Sequence, residues 1–241
     1  MLFLCLRKNI IIGNICKKED KMIILKERKL KRLFDIATTL LEQEIESISQ
    51  RKAVVTIGVT GGSVTKFYEI VSKSKSKWSN VELFLLDERI TSFQSMRNYP
   101  KIKKYFSKIM SSSRIHEIRA DGNPFINAEK YDDLLKTKNK YGFDIIIISA
   151  GVEGHVASVF PRKNYLKKGY IFIEDSPKKP NRRITATMSI MKSAKVCFTF
   201  FLGEKKKDLL KEFQEGSLQE KEFPVNFVKR IKKSYVFTDI K

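Results

Sequence analysis

Hydrophobic positions along the chain follow two patterns that alternate from about residue 30 onward. From Leu30 the apolar residues return every three or four positions with Lys, Glu and Gln between them, which predicts an amphipathic helix of several turns. Residues 53–59 follow as a largely apolar, β-branched run. Such a run predicts a strand that is buried on both faces between layers of helices.

Further runs of the same kind predict strands that begin at Val81, Phe143, Tyr170, Lys195 and Ser234. Helix-compatible segments lie between them at residues 64–73, 99–110, 123–136 and 204–213. Because β and α segments alternate, we expect an α/β fold: a doubly wound, mostly parallel, Rossmann-like sheet with helices on both faces. The chain contains no internal repeat and no long linker, so we expect a single domain.

The N-terminal segment lacks convincing periodicity before Met22. We therefore interpret residues 1–22 as an N-terminal extension and a candidate for disorder, and residues 23–241 as the α/β domain. The first apolar stretch ends at Arg7 without a small-residue cleavage pattern, which argues against a signal peptide. No run approaches the about 18 apolar residues of a membrane span, so we expect no membrane partner.

Composition narrows the class of partner. The chain has 48 Lys and Arg residues against 27 Asp and Glu, a formal charge of +21. This excess favours nucleic acid, acidic membrane surfaces or phosphorylated metabolites, and charge alone does not choose among them. No RNP, helix-turn-helix or finger pattern is present, so we expect no specific nucleic-acid binding. The cysteines Cys5, Cys16 and Cys197 form no CxxC pair, which favours a reducing, cytoplasmic environment.

Candidate chemistry lies just after the predicted strands, where doubly wound sheets bind their ligands. Gly61, Gly62 and Ser63 follow the first strand and open a helix, so their backbone amides could attract a phosphate. The spacing matches neither the Walker nor the GxGxxG pattern. A plain turn between a strand and a helix is the alternative interpretation.

Charged residues follow the next predicted strand. Arg89 could clamp a phosphate through two hydrogen bonds, while Asp87 or Glu88 binds sugar hydroxyls or fixes the arginine. The alternative is a charged turn whose side chains pair with one another.

A histidine follows the most apolar strand, in a loop bounded by glycines. His155 can accept a proton from water near neutral pH, and Glu153 can hold its tautomer and stabilise the imidazolium. A structural histidine is the alternative. Zinc hydrolysis would need three protein ligands, which the sequence does not offer, and a serine nucleophile would need a GxSxG elbow, which is absent.

Basic residues cluster in the last third of the chain. Lys178 and Arg183 belong to a proline-containing loop, for which a solvated loop is the alternative interpretation. Lys206 stands at the start of a predicted helix, where a cation is unfavourable unless an anion lies beside it.

Taken in order, these segments resemble the 6-phosphogluconolactonase family, within the larger group that includes glucosamine-6-phosphate deaminases. The matching motifs are Gly61-Gly62-Ser63, Asp87-Glu88-Arg89, Asn98-Tyr99, residues 153–161, Ser176-Pro177-Lys178, Arg183-Ile184-Thr185 and residues 203–206. The residues after His155 resemble the lactonases rather than the deaminases. Departures from the family pattern are Glu153 for Asp, Val156 for Thr, Arg97 for a small residue, and Ser149 and Ala150 for a Gly-rich approach.

The resemblance implies hydrolysis of 6-phospho-D-glucono-1,5-lactone to 6-phosphogluconate, in the oxidative pentose phosphate pathway, without a metal or organic cofactor. The expected partner is the small phosphorylated sugar lactone, and the sequence makes no prediction of oligomeric state. His155 and Glu153 would be catalytic. Phosphate and substrate would be bound by Gly61, Gly62, Ser63, Asp87, Arg89, Lys178, Arg183 and Lys206. A sugar-phosphate-binding protein with weakened catalysis is the alternative, because of the changes at Glu153 and Val156.

Overall fold

The computed structural model describes residues 11–17, 20–76, 78–163, 165 and 167–241. These residues contain eleven strands and six α-helices. The strands are β1 (Ile11–Lys17), β2 (Asp20–Lys26), β3 (Val55–Val59), β4 (Val81–Leu85), β5 (Asp87–Arg89), β6 (Ile115–His116), β7 (Ile145–Ser149), β8 (Tyr170–Ile173), β9 (Arg183–Ala186), β10 (Val196–Phe201) and β11 (Lys233–Thr238). The α-helices are α1 (Leu30–Ser49), α2 (Thr65–Val71), α3 (Tyr99–Phe106), α4 (Pro124–Lys138), α5 (Met188–Met191) and α6 (Lys207–Glu215).

The main sheet has eight strands in the order β1-β2-β11-β10-β7-β3-β4-β6. Every neighbouring pair is parallel except β1 with β2, so the predicted doubly wound, mostly parallel sheet is confirmed. From β3 the chain moves outward through β4 to β6, and it then returns to β7 and moves the other way. The switch point between β3 and β7 is where such a sheet leaves a crevice for a ligand.

The central strands are buried on both faces because helices cover the sheet. All residues of β3, β4 and β10 are buried, as expected for strands between two helical layers. Helix α1 buries the stripe that its spacing predicted, including Leu33, Ala37 and Leu41. Between the layers, the ring centroid of Phe67 lies 4.8 Å from that of Phe200.

Three further strands form a second, antiparallel sheet in the order β5-β9-β8. The predicted strand at Tyr170 belongs here as β8, so its expected place in the parallel sheet was wrong. Strand β8 is short and its two central residues are only half-buried, which is typical of an edge strand. Strand β9 was not predicted, and it brings Arg183 opposite Arg89 of β5.

The predicted N-terminal extension contains described secondary structure. Strand β1 pairs with β2, and β2 adds to β11 at the edge of the main sheet. Regular structure therefore starts before residue 22, whereas residues 1–10 lie outside the described residues. The proposed boundary between an extension and the domain at residue 23 stays a prediction. Within the described ranges, no helix is both long and apolar enough to cross a membrane.

Candidate active site

A cavity of about 340 Å³ opens at the carboxyl ends of β3 and β7, at the switch point of the main sheet. Its lining includes all the residues predicted to bind substrate, namely Gly61, Gly62, Ser63, Asp87, Arg89, Lys178, Arg183 and Lys206, together with His155. Glu153 contacts His155 without lining the cavity. Larger cavities of about 700 and 800 Å³ lie elsewhere, but none of these residues lines them, so their size does not identify the site.

The glycine-rich turn forms the wall next to β3. Gly62 has φ +79°, in the left-handed region that favours glycine. A Cβ at Gly61 would lie 2.1 Å from Oδ1 of Asn98, so this position excludes larger residues. The turn continues as a 3-10 helix at Gly62–Val64 and then as α2, so backbone N–H groups at the start of a helical segment border the cavity.

Lys206 reaches the cavity from the turn after β10. Gly203 has φ +88° and opens this turn, and the 3-10 helix Glu204–Lys206 follows it. The Nζ atom of Lys206 donates to Oγ of Ser149 at 3.1 Å and to Oγ of Ser63 at 3.3 Å. Burial, with a smaller effect of the nearby Lys178 charge, lowers the pKa of Lys206 to about 8 despite the opposing charge of Asp239. The ammonium is therefore held in a poorly solvated place, where an anion would stabilise it.

Arg89 has donors available for a ligand. One terminal nitrogen, Nη1, donates to the carbonyl of Met96 at 2.8 Å, while the buried Nε has no hydrogen-bond partner among the described residues. A buried donor without a partner is rare in folded proteins, and a bound ligand would account for it.

The side chain of Glu88 does not line the cavity. Its carboxylate accepts from the backbone N–H groups of Asn98 at 2.6 Å and Tyr99 at 2.7 Å. It thereby satisfies free donors at the start of α3. Of the two acidic residues considered beside Arg89, only Asp87 lines the cavity.

Arg183 orders the basic loop that precedes β9. Its guanidinium donates to the carbonyls of residues 178–180 and to Oγ of Ser158 at 3.3 Å. Asp87 accepts from the same hydroxyl at 2.9 Å and lies 3.8 Å from Nη1 of Arg183. Most donors of this arginine are therefore engaged within the protein, which leaves little capacity for a bound phosphate.

His155 lies between a carboxylate and the cavity. Its Nδ1 is 3.1 Å from Oε1 of Glu153, but the buried Nδ1 makes no contact that meets hydrogen-bond geometry. Lys178 holds that carboxylate, with Nζ 2.8 Å from Oε1 and 2.9 Å from Oε2. The carboxylate of Glu153 is thus hydrogen-bonded to the lysine, and it lies close to Nδ1 of His155 without forming a hydrogen bond to it.

Electrostatics keep this histidine neutral. Burial and the charge of Lys178 lower the pKa of His155, and they outweigh the opposing effect of Glu153. Burial opposes ionisation of Glu153, but the hydrogen bond from Lys178 and the charge that His155 carries in acid together lower the pKa of Glu153. Near neutral pH the pair therefore consists of a neutral imidazole beside an ionised carboxylate, which suits a general base.

The loop around His155 is held by its glycines and by an aromatic ring. Gly151 donates its N–H to the carbonyl of His155 at 2.9 Å, and a Cβ at Gly151 would lie 1.8 Å from Cε1 of the imidazole. The ring of Phe160 stacks on the imidazole with centroids 4.8 Å apart. Packing thus leaves the imidazole few orientations.

Several residues of the site were not predicted from the sequence to have a role. Ser149, Ser158 and Phe160 contact the predicted residues through tertiary packing. The position of Ser149 at the end of a buried strand could have indicated a role in the site, but the sequence identifies this residue only as a departure from the family pattern. Among the described residues, no group of His, Cys, Asp or Glu side chains could hold a metal ion.

Fold and site together define an α/β protein with a cationic cavity and a half-buried histidine at the switch point of a doubly wound sheet. The chain belongs to the family described as glucosamine-6-phosphate isomerases/6-phosphogluconolactonase, whose sequence profile matches residues 28–237. The family resemblance predicted from the motifs is thus confirmed.

Known relatives share both sequence and architecture with the chain. It is 29% identical over 203 residues to the 6-phosphogluconolactonase of Haemophilus influenzae, covering 80% of this chain and 88% of that protein. The 6-phosphogluconolactonase structure from Thermotoga maritima superposes with a TM-score of 0.80 at 23% identity, covering 90% of this chain and 99% of that one. A monomeric glucosamine-6-phosphate deaminase gives a TM-score of 0.76 at 16% identity, covering 89% and 96% of the two chains. The architecture is therefore common to lactonases and deaminases.

Proposed function

We propose that the protein is a 6-phosphogluconolactonase, which hydrolyses 6-phospho-D-glucono-1,5-lactone to 6-phosphogluconate as a step of the oxidative pentose phosphate pathway. The observation that carries the proposal is one cavity that contains His155, a half-buried imidazole with a lowered pKa, together with the cations Arg89 and Lys206. Family membership and the names of the relatives support the same activity. The residues after His155 favour lactone hydrolysis over deamination because they resemble the lactonase pattern.

In this proposal the phosphate group anchors the substrate. Its oxygens accept from Arg89, Lys206, the remaining N–H of Arg183 and the backbone amides of Gly62 and Ser63. Binding energy at this remote group then positions the lactone carbonyl near the imidazole. Lys178 and Asp87 border the same cavity and would contact the sugar.

The chemical steps follow from the tautomer of the histidine. With a proton on Nδ1, facing Glu153, the Nε2 atom of His155 accepts a proton from water as the water oxygen attacks the lactone carbonyl. Backbone amides stabilise the resulting oxyanion. The bond between the carbonyl carbon and the ring oxygen then breaks, and the imidazolium returns its proton to that oxygen. The carboxylate of Glu153 stabilises the imidazolium between the two transfers.

One observation favours the alternative of a sugar-phosphate binder with weakened catalysis. The carboxylate of Glu153 is turned toward Lys178 and makes no well-directed hydrogen bond to Nδ1 of His155. A base that is held less firmly in its tautomer would be slower.

The decisive experiment measures hydrolysis of freshly made 6-phosphogluconolactone, corrected for spontaneous opening. We expect His155→Ala to lower kcat by about 10²- to 10⁴-fold and Arg89→Ala mainly to raise KM. His116→Gln is the matched control, because this second histidine contacts Glu82 and does not line the cavity. Folded wild-type protein that binds 6-phosphogluconate without accelerating hydrolysis would contradict the lactonase proposal and support the binder.

Two further expectations accompany this proposal. The first is that the protein acts in the cytoplasm. The second is that its positive charge attracts anionic metabolites and does not support specific nucleic-acid binding. Preferential binding to one nucleic-acid sequence over a generic duplex, persisting at raised salt, would contradict the second expectation.

A further inference from the structure

Ser149 is a polar residue of the cavity for which the proposed mechanism has no role. Its hydroxyl lies 2.7 Å from the hydroxyl of Ser63 and accepts from Nζ of Lys206 at 3.1 Å. We propose that Ser149 is a phosphate-positioning residue, which holds the Lys206 ammonium beside Ser63 in the arrangement that receives the phosphate of the substrate. The inference rests on the proposed function.

Strand pairing and a backbone hydrogen bond fix the position of Ser149, so its hydroxyl has a defined place. The residue ends β7, and its N–H donates to Oγ1 of Thr60 at 3.2 Å. Thr60 in turn donates its own N–H to the carbonyl of Ile147 at 3.0 Å. The hydroxyl is therefore presented by paired strands rather than by a mobile loop, as a preorganised binding group requires.

Lys206, Ser63 and Ser149 together keep unused hydrogen-bond donors, and among the described residues no negatively charged side chain lies beside the lysine. An ammonium has three N–H donors, and those of Lys206 that are engaged point at Ser63 and Ser149. In the proposed arrangement Ser149 donates to Ser63, so the O–H of Ser63 also stays free. Within the described part of the chain, no carboxylate lies within 4.0 Å of Nζ of Lys206. A free N–H and a free O–H side by side are complementary to two oxygens of a phosphate monoester.

The hydroxyl of Ser149 has a large effect on Lys206 because the ammonium of this lysine is buried. Water contributes little to the solvation of this ammonium, so the two hydroxyl oxygens replace it. Removing one of them leaves the ammonium freer to rotate away from the phosphate and less well stabilised. The effect should be confined to phosphorylated ligands, because Ser149 acts through Lys206.

Binding of the product tests this inference without requiring turnover. We expect Ser149→Ala to weaken binding of 6-phosphogluconate, measured by calorimetry, about tenfold, as for loss of a hydrogen bond to a charged group. Binding of gluconate, which lacks the phosphate, should not change. Ser149→Thr keeps the hydroxyl and should bind 6-phosphogluconate within about threefold of wild type.

A double-mutant cycle distinguishes positioning through Lys206 from a merely structural role. In a Lys206→Met background, Ser149→Ala should change the Kd for 6-phosphogluconate by less than about twofold. An equal loss in both backgrounds, or an unchanged Kd in Ser149→Ala with an intact fold by circular dichroism, would overturn the inference. If Ser149→Ala weakens binding of 6-phosphogluconate as expected but the wild-type protein does not hydrolyse the lactone, only the proposed function is overturned.

Discussion

Replacing Glu153 by Gln removes the negative charge that faces the imidazole of His155 while nearly preserving the size of the side chain. At the 3.1 Å separation of Oε1 and Nδ1, Coulomb's law with an effective dielectric constant of about 20 gives roughly 5 kcal/mol for the charged pair. The side chain of Glu153 is 35% exposed, so solvent screening reduces this to about 2 kcal/mol. Because the imidazolium forms during the reaction, we expect kcat to fall about 30-fold.

The same substitution should also shift the acid limb of the pH profile in one direction. Glu153 opposes the lowering of the pKa of His155, so its removal should lower that pKa further. Since the neutral imidazole is the active form, the acid limb of kcat/KM should move to lower pH even though the maximum rate falls.

The assay follows lactone hydrolysis between about pH 5 and 8, with spontaneous opening subtracted at each pH. Glu153→Asp is the control, because it retains the charge and should leave the acid limb closer to that of wild type. A Gln variant with wild-type kcat and an unmoved acid limb would refute the assignment of this pair as base and partner.

Three other substitutions test the geometry around the site and the fold beneath it. Lys178→Met removes a charge that lowers the pKa of His155, so the acid limb of kcat/KM should move to higher pH; movement to lower pH would contradict this. Gly151→Ala would place a methyl group 1.8 Å from Cε1 of His155, so kcat should fall about a hundredfold with an unchanged circular dichroism spectrum. Asp144 is buried, which opposes its ionisation, but hydrogen bonds from Lys52 and other donors lower its pKa. A lowered pKa stabilises the fold above the unfolded value of about 3.9, and this contribution is lost as pH falls through the folded value. Asp144→Asn should therefore cost about 3 kcal/mol in urea unfolding at pH 7, with the difference shrinking in acid; a pH-independent difference would argue against the ion pair.

The alternation of strands and helices was predictable because each element is encoded within its own segment. The buried run at residues 53–59 and the helical stripe from Leu30 reflect local periodicity, which needs no knowledge of distant residues. The candidate site was also largely predictable, since a doubly wound sheet brings the residues after its strands to one edge. Gly62 and His155 could thus be named from the sequence.

How these residues contact one another depends on the packing of the whole chain. The pairing of β9 with β5 places Arg183 opposite Arg89, and this register joins segments far apart in sequence. Strand β8 looked like its parallel counterparts because a short apolar run does not specify its partner. The contacts of Ser149 with Lys206, and of Glu153 with Lys178, likewise depend on side chains that meet in space. Hydrophobic periodicity records which face of an element is buried, whereas the partners of a polar group follow from the packing of the whole chain.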